Sequence, residues 1–289
     1  MTSRYWDVNI FTRTVLDMVI KLGTETLVAK DGEAAGYLDQ TVFDNVAAQV
    51  DRLKRLSGSV TLVSSGAIQA GRERMKQLGI DATHLDKKDL AGIGARHLLN
   101  RWGNAFDIHN RDVGQVWVTH ANWKNRNEWR NIHRSISQFH NAGIIPIVNE
   151  NDVVSDLEVQ SMDRGMSEND RLARMIAHRI RADGILFLTN VGGVYESDPS
   201  TCPDARMYKM IDVATIKKLL RVPSTASSKG AGGMRAKLIE AMKCFHTGMR
   251  VAIAGMDDDI IGRFKSGSEV GTVIGISTSF YSEQERRMI

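Results

Sequence analysis

Cysteine is almost missing from this chain. Two occur in 289 residues, Cys202 and Cys244, far apart and in no Cys-x-x-Cys pair. That excludes a disulfide framework and a cysteine-built zinc site. No apolar run approaches the roughly 20 residues of a membrane span, and no signal-like apolar segment opens the chain. A reducing cytoplasm is the expected location, with no membrane partner. Charge of one sign is also scarce: 38 Lys and Arg are interspersed with 34 Asp and Glu. No dense basic arm marks a nucleic-acid partner. The segment Trp123 to Arg134 is locally basic, and its favoured reading is a solvated helix face with Trp123 and Trp129 turned to the core. The eight histidines form no His-Glu-x-x-His spacing, so no metal held directly by the protein is expected. There is no Gly-x-Ser-x-Gly elbow. Gly92-Ile93-Gly94 lacks the third glycine of a dinucleotide fingerprint. These exclusions leave phosphoryl transfer as the chemistry best supported.

What is present is ordinary in amount, 42% hydrophobic and 25% charged, and sufficient for a sizeable core. Short β-branched runs alternate with helical spacing. Strands are predicted at 18–22, 60–63, 113–118, 144–148, 185–188, 251–254 and 270–274. Helices are predicted around Val42, Val46, Val50 and Leu53, with Asp39 or Thr41 as cap, and over 68–78, 90–106, 127–139, 170–180 and 234–245. Pro146, inside a strand, should turn its missing amide away from the ladder. The alternation predicts an α/β fold with a mostly parallel sheet covered on both faces. Residues 1–17 read as an N-terminal extension and 277–289 as a polar tail.

In open parallel sheets, ligands bind at the carboxyl ends of strands. The residues that follow the predicted strands there are Lys21-Leu22-Gly23-Thr24, Ser64-Ser65-Gly66, Asn149-Glu150-Asn151-Asp152 and Thr189-Asn190-Val191-Gly192-Gly193. All are small, glycine-rich or polar, and they should converge on one rim. Taken singly, each has a bland reading: Lys21 snorkelling outward, Ser64-Ser65 and Asn169 or Asp170 as helix caps, and 149–152 as a loop. The run Lys229 to Lys237 is glycine-rich and opens a helix, with Lys237 about one turn in. Such a start brings backbone amides and a lysine to an anion.

The order of these motifs resembles the glutamate 5-kinase branch of the amino-acid kinase fold over about Met18 to Ile274. The resemblance rests on Val19 to Thr24, Val63 to Arg72, Gly114-Gln115, Ile145 to Asp152, Glu168 to Leu172, Leu188 to Tyr195 with Asp198-Pro199, and Gly230 to Lys237. It implies a three-layer αβα sandwich over 18–276, with a substrate lobe at about 18–172 and a nucleotide lobe at about 173–276. It implies ATP and Mg2+ and a side-chain carboxylate as acceptor, that of L-glutamate, in the first step of proline biosynthesis. Another amino acid, an acylated one, or a non-catalytic sensor are the alternatives. The implied catalytic residues are Lys21, Lys237 and Asp170. Ser65, Asp152 and Asn169 would hold the amino acid. Thr189, Asn190, Ala231, Gly232, Gly233, Met234, Arg235, Ala236 and the two lysines would hold ATP. The resemblance further implies a homo-oligomer, dimer or tetramer, and a glutamyl phosphate reductase downstream. This chain differs from the usual family pattern at Glu168, at Asn190 and in the 153–166 loop, and it is expected to end before a PUA domain.

Overall fold

The computed structural model describes residues 16–32, 34–54, 58–119, 121–154, 168–221 and 231–275. The expectations placed on 1–15, on 155–166, on Lys229-Gly230 and on the 277–289 tail lie outside the described residues. In chain order the elements are β1 (Met18–Leu22), α1 (Thr24–Leu27), α2 (Gln40–Lys54), β2 (Val60–Ser64), α3 (Ala67–Leu78), α4 (Lys87–Asp107), β3 (Val113–Val118), α5 (Arg126–Ala142) and β4 (Ile145–Glu150). There follow α6 (Glu168–Ile180), β5 (Gly184–Thr189), β6 (Met210–Asp212), α7 (Val213–Leu219), α8 (Ala231–Phe245), β7 (Arg250–Gly255), α9 (Ile260–Ser266) and β8 (Thr272–Gly275).

The strands form one sheet in the order β3-β4-β2-β1-β5-β7-β8-β6. Every neighbouring pair is parallel except β7 with β8. The first strand therefore lies inside the sheet, with Lys21 registered between Val63 of β2 and Phe187 of β5. All five residues of β1 are buried, as a strand covered on both faces requires. Alternation then sorts them. Met18, Ile20 and Leu22 join a core with Phe43 of α2, Trp102 of α4 and Phe264 of α9. Val19 joins the opposite core with Ile136 of α5, Leu172 and Ile176 of α6, and Leu238 of α8. The result is helices on both faces of one sheet, the three-layer sandwich expected.

Local chemistry sets several helix starts. Asp39 accepts hydrogen bonds from the Thr41 amide and hydroxyl, so Asp39 caps α2. Asp86 and Asp89 form a reciprocal capping box at α4, and Asn125 caps α5. Ile145 donates to Asp112 on the β3 side. By alternation Pro146 turns its amide position toward β2, where the paired register starts only at Leu62–Ile147. Trp123 and Trp129 are buried with ring centroids 5.0 Å apart, as the core reading of that basic segment requires.

The sequence reading misses α1, β6, α7 and α9, which are three to seven residues long and too short for a periodic signal. The last strand, expected at 270–274, runs from Thr272 to Gly275 and is antiparallel to β7.

Candidate active site

The carboxyl ends of β1, β2, β4 and β5 lie side by side in the sheet order, so the four polar segments that follow them share one rim. Alternation along β1 puts Lys21 on the same face as Val19, toward α6 and α8. Its side chain is buried there, which corrects the outward-snorkelling reading. Its ammonium lies 2.7 Å from Asp170 Oδ1. Lys237 Nζ lies 3.6 Å from the other oxygen, Asp170 Oδ2. Asp170 is fully buried. It sits in the first turn of α6, inside the helix, because α6 begins at Glu168; the reading of Asn169 or Asp170 as the cap is replaced accordingly.

One carboxylate therefore holds two ammonium groups that would otherwise repel, and these three groups carry one surplus positive charge, partly offset by the nearby Glu25. Burial and the neighbouring Lys21 charge push the Lys237 ammonium below the usual lysine range, and Asp170 works against that shift. Buried charges of this kind are tolerated when paired. A surplus cation at a sheet rim, beside a helix start, is suited to an anionic ligand.

Next to this cluster the Ser64-Ser65 pair divides its work. Ser64 faces inward and accepts a hydrogen bond of 3.0 Å from Trp102 Nε1. Ser65 Oγ accepts from Asn169 Nδ2 at 2.7 Å, and the Ser65 amide donates to the Leu22 carbonyl. Gly66 follows at φ +110, a left-handed conformation that glycine adopts without strain; it turns the chain from β2 into α3. Asn169 Oδ1 is buried without a hydrogen-bond partner among the described residues. A buried acceptor left open in this way is a place for a ligand donor.

Asp152 lies a little apart. With Gln115, Asn149, Glu150 and the small faces of Ala91 and Gly92 it lines a narrow cavity of about 10 Å3, adjoining Ala67 and hence the Ser65 turn. Thr189 ends β5, with its hydroxyl 3.4 Å from Asn190 Oδ1. The Asn190 carbonyl accepts a 3.1 Å hydrogen bond from Lys30. This lysine bridges the mouth from the segment after β1 to the segment after β5, and the sequence reading did not single it out. No motif marks it, and only the fold brings positions 30 and 190 together.

The glycine-rich stretch opens a helix, as expected, but three residues earlier than the predicted start at 234: Ala231 to Lys237 forms the first two turns of α8, and Lys237 is nearly two turns in. Arg235 donates to the Leu220 carbonyl at the end of α7. Ala236 is buried, and Met234 packs on the core. These three therefore serve the helix's seating, and Lys237 is the residue of the stretch that reaches the charge cluster. Gly233 is open, with nothing within 4 Å of where a Cβ would stand.

Among the described residues no group of three or more His, Cys, Asp or Glu converges as a metal site, and no helix is long and apolar enough to cross a membrane. Cys244 is buried, and burial pushes its thiol pKa up, as for a small core residue.

The profile of the amino acid kinase family matches residues 18–255. Glutamate 5-kinase of Methanosarcina barkeri is 32% identical over 274 residues, covering 92% of this chain and 70% of that protein. Glutamate 5-kinase of Dehalococcoides mccartyi strain 195 is 37% identical over 257 residues, covering 88% and 67%. Among solved structures, UMP kinase from Bacillus anthracis superposes with a TM-score of 0.59 at 16% identity, over 91% of this chain and 97% of that one. Isopentenyl phosphate kinase superposes with 0.55 at 17% identity, over 89% and 98%. At such identities these two likenesses speak for the fold alone.

Proposed function

We propose a function that starts from one premise: this chain belongs to the amino acid kinase family. It is a phosphotransferase that moves the γ-phosphoryl group of ATP onto the side-chain carboxylate of L-glutamate, giving glutamyl 5-phosphate, the first step of proline biosynthesis. The observation that carries the site assignment is the buried carboxylate of Asp170 shared by Lys21 and Lys237.

The chemistry needs little from the protein beyond placement. A carboxylate acceptor is already ionised at neutral pH, so no general base is required. The demand is for in-line positioning and positive charge around the equatorial phosphoryl oxygens. Lys21 and Lys237 supply that charge, and Asp170 sets their spacing. Ser65, Asn169 and Asp152 hold the amino acid; the open Asn169 Oδ1 accepts from its ammonium group. Thr189, Asn190 and the start of α8 with Gly233 hold the nucleotide. In this scheme residues 18–172 carry the acceptor side and 173–276 the nucleotide side.

The donor set fits magnesium carried on the nucleotide's phosphates, because Asp170 is engaged by two ammonium groups. When bound there, the ion neutralises phosphate charge. The product is an acyl phosphate, which hydrolyses readily, so a glutamyl phosphate reductase is the downstream partner. A homo-oligomer in the cytoplasm completes the reading. The test is ADP release with Mg-ATP over a panel of amino acids, with hydroxylamine trapping the product. Glutamate-dependent hydroxamate is expected; turnover with a different acid alone overturns the acceptor.

A further inference from the structure

At the opposite end of the sheet from the active site lies an open groove of about 850 Å3, lined by Trp129, His178, Arg179, Arg181, Asp183 and Thr247. Its size is that of a small-molecule site. The groove sits where α6 and α8 end. These are the two helices whose N-terminal halves carry Asp170 and Lys237, and they are tied together by the ion pair of Arg174 with Glu240. A ligand wedged at their far ends touches the two elements whose relative position sets the Asp170–Lys237 spacing.

The chemistry of the groove is cationic. His178 and Arg179 close the last turn of α6. Arg179 lies over the Trp129 ring, 5.4 Å from its centroid, which fixes the guanidinium plane at the wall. Among the described lining residues Asp183 is the one carboxylate, and it accepts from the Leu16 and Asp17 amides. Several carbonyls at the helix ends, which would repel an anion, are already engaged by backbone amides. The Ala177 carbonyl takes the Ala182 amide, and Cys244 and Phe245 take the amides of Thr247 and Gly248.

Arg181 supplies the second, independent pointer. It has φ +57, a left-handed conformation unfavourable for a residue with a Cβ. The chain meets the same geometric need with glycine at the ends of α3, α5 and α9, at Gly79, Gly143 and Gly267. At α6 it places arginine instead, and among the described residues that guanidinium has no hydrogen-bond or ion-pair partner. Strain held at a ligand-facing position is characteristic of binding sites.

We propose that this groove is a second ligand site, for a small phosphorylated metabolite gripped by Arg179, Arg181 and His178, and that its occupancy adjusts the Asp170–Lys237 spacing. Guanidinium groups bind phosphate in bidentate fashion. The coupling half of the proposal rests on the catalytic reading of Asp170 and Lys237; the binding half does not.

The test uses the full chain with its active site saturated by ADP, titrated calorimetrically with inorganic pyrophosphate. Saturable binding is expected, weakened by about tenfold or more in Arg181→Gly, a variant that relieves the backbone strain and should melt no earlier than the parent. No binding, or equal binding in the variant, overturns the site. In steady-state assays pyrophosphate is expected to change kcat or KM for ATP in the parent and to leave Arg181→Gly closer to its ligand-free values. Arg181-dependent binding with unmoved kinetics overturns the coupling. A protein that turns over no amino acid refutes the proposed function while leaving the calorimetric result to be judged by itself.

Discussion

Lys21 and Lys237 are bound to opposite oxygens of one buried carboxylate, one at 2.7 Å and the other at 3.6 Å. They come from β1 and α8, distant in sequence, and the looser contact belongs to the lysine on the open side. That asymmetry leaves Lys237 the more able to turn toward a phosphoryl group. Lys237→Ala should lower kcat by about 100-fold or more while leaving the fold intact, as for loss of a transition-state charge. Steady-state kinetics beside a melting curve checks it, and full activity removes the assigned role.

Removing the shared carboxylate should act on stability as well. Asp170→Asn leaves two buried ammonium groups facing each other, with only the more distant Glu25 charge to offset them. A cost of about 3–5 kcal/mol is expected, read from urea unfolding. A loss within error would mean that the lysines turn away freely.

The lowered pKa of Lys237 fixes a pH dependence. Its folded value lies below its unfolded value because burial and Lys21 oppose the charge. Between those two values the unfolded chain binds the extra proton, so this group makes stability rise with pH there, and its penalty is fully present at lower pH. Catalysis runs the other way. The kcat/KM for ATP should fall on the alkaline side below the ordinary lysine range, as the ammonium loses its proton. In Lys237→Arg, which keeps its charge, that limb should move to higher pH whatever the absolute rate.

Asp152 lines the cavity beside the Ser65 turn and not the charge cluster. Asp152→Ala should raise KM for the amino acid with a smaller change in kcat. An unchanged KM counts against its placement on the acceptor side.

The crossing of α3 and α4 gives a packing test. A Cβ on Gly94 would lie 1.8 Å from the Ala67 carbonyl oxygen and 2.4 Å from the Gly71 nitrogen. Those are backbone atoms and cannot swing aside. Gly94→Ala should destabilise by about 1–3 kcal/mol or more, whereas Gly233→Ala, in open space, should not. Thermal unfolding of the two variants compares them directly.

The main strands and long helices were legible because each is long enough to show its period, and the chain alternates them regularly. The rim was legible for the same reason: Lys21, Ser65, Asp152 and Thr189 each follow an apolar run. What was hidden depends on tertiary placement. Nothing local tells Ser64, which serves Trp102, from Ser65, which faces Asn169. Nothing local turns Lys21 inward until Asp170 is known to stand opposite. The glycines at 230–233 put the predicted helix start at Met234, yet α8 already begins at Ala231, because seating Met234 and Ala236 in the core outweighs glycine's weak helix propensity.

The interior position of β1 bears on how the protein is made. Met18 pairs with Gly184 on one side and with Val60 on the other, so β1 completes its pairing only after the more than 160 residues that separate it from β5 have been synthesised. Until β5 arrives, a nascent chain that has assembled β3, β4, β2 and β1 presents an apolar, unpaired edge to solvent. Such edges recruit other strands. Fragments ending before Gly184 should therefore aggregate, whereas fragments carrying β5 should stay dispersed, and chaperone dependence should be greatest in that interval of synthesis.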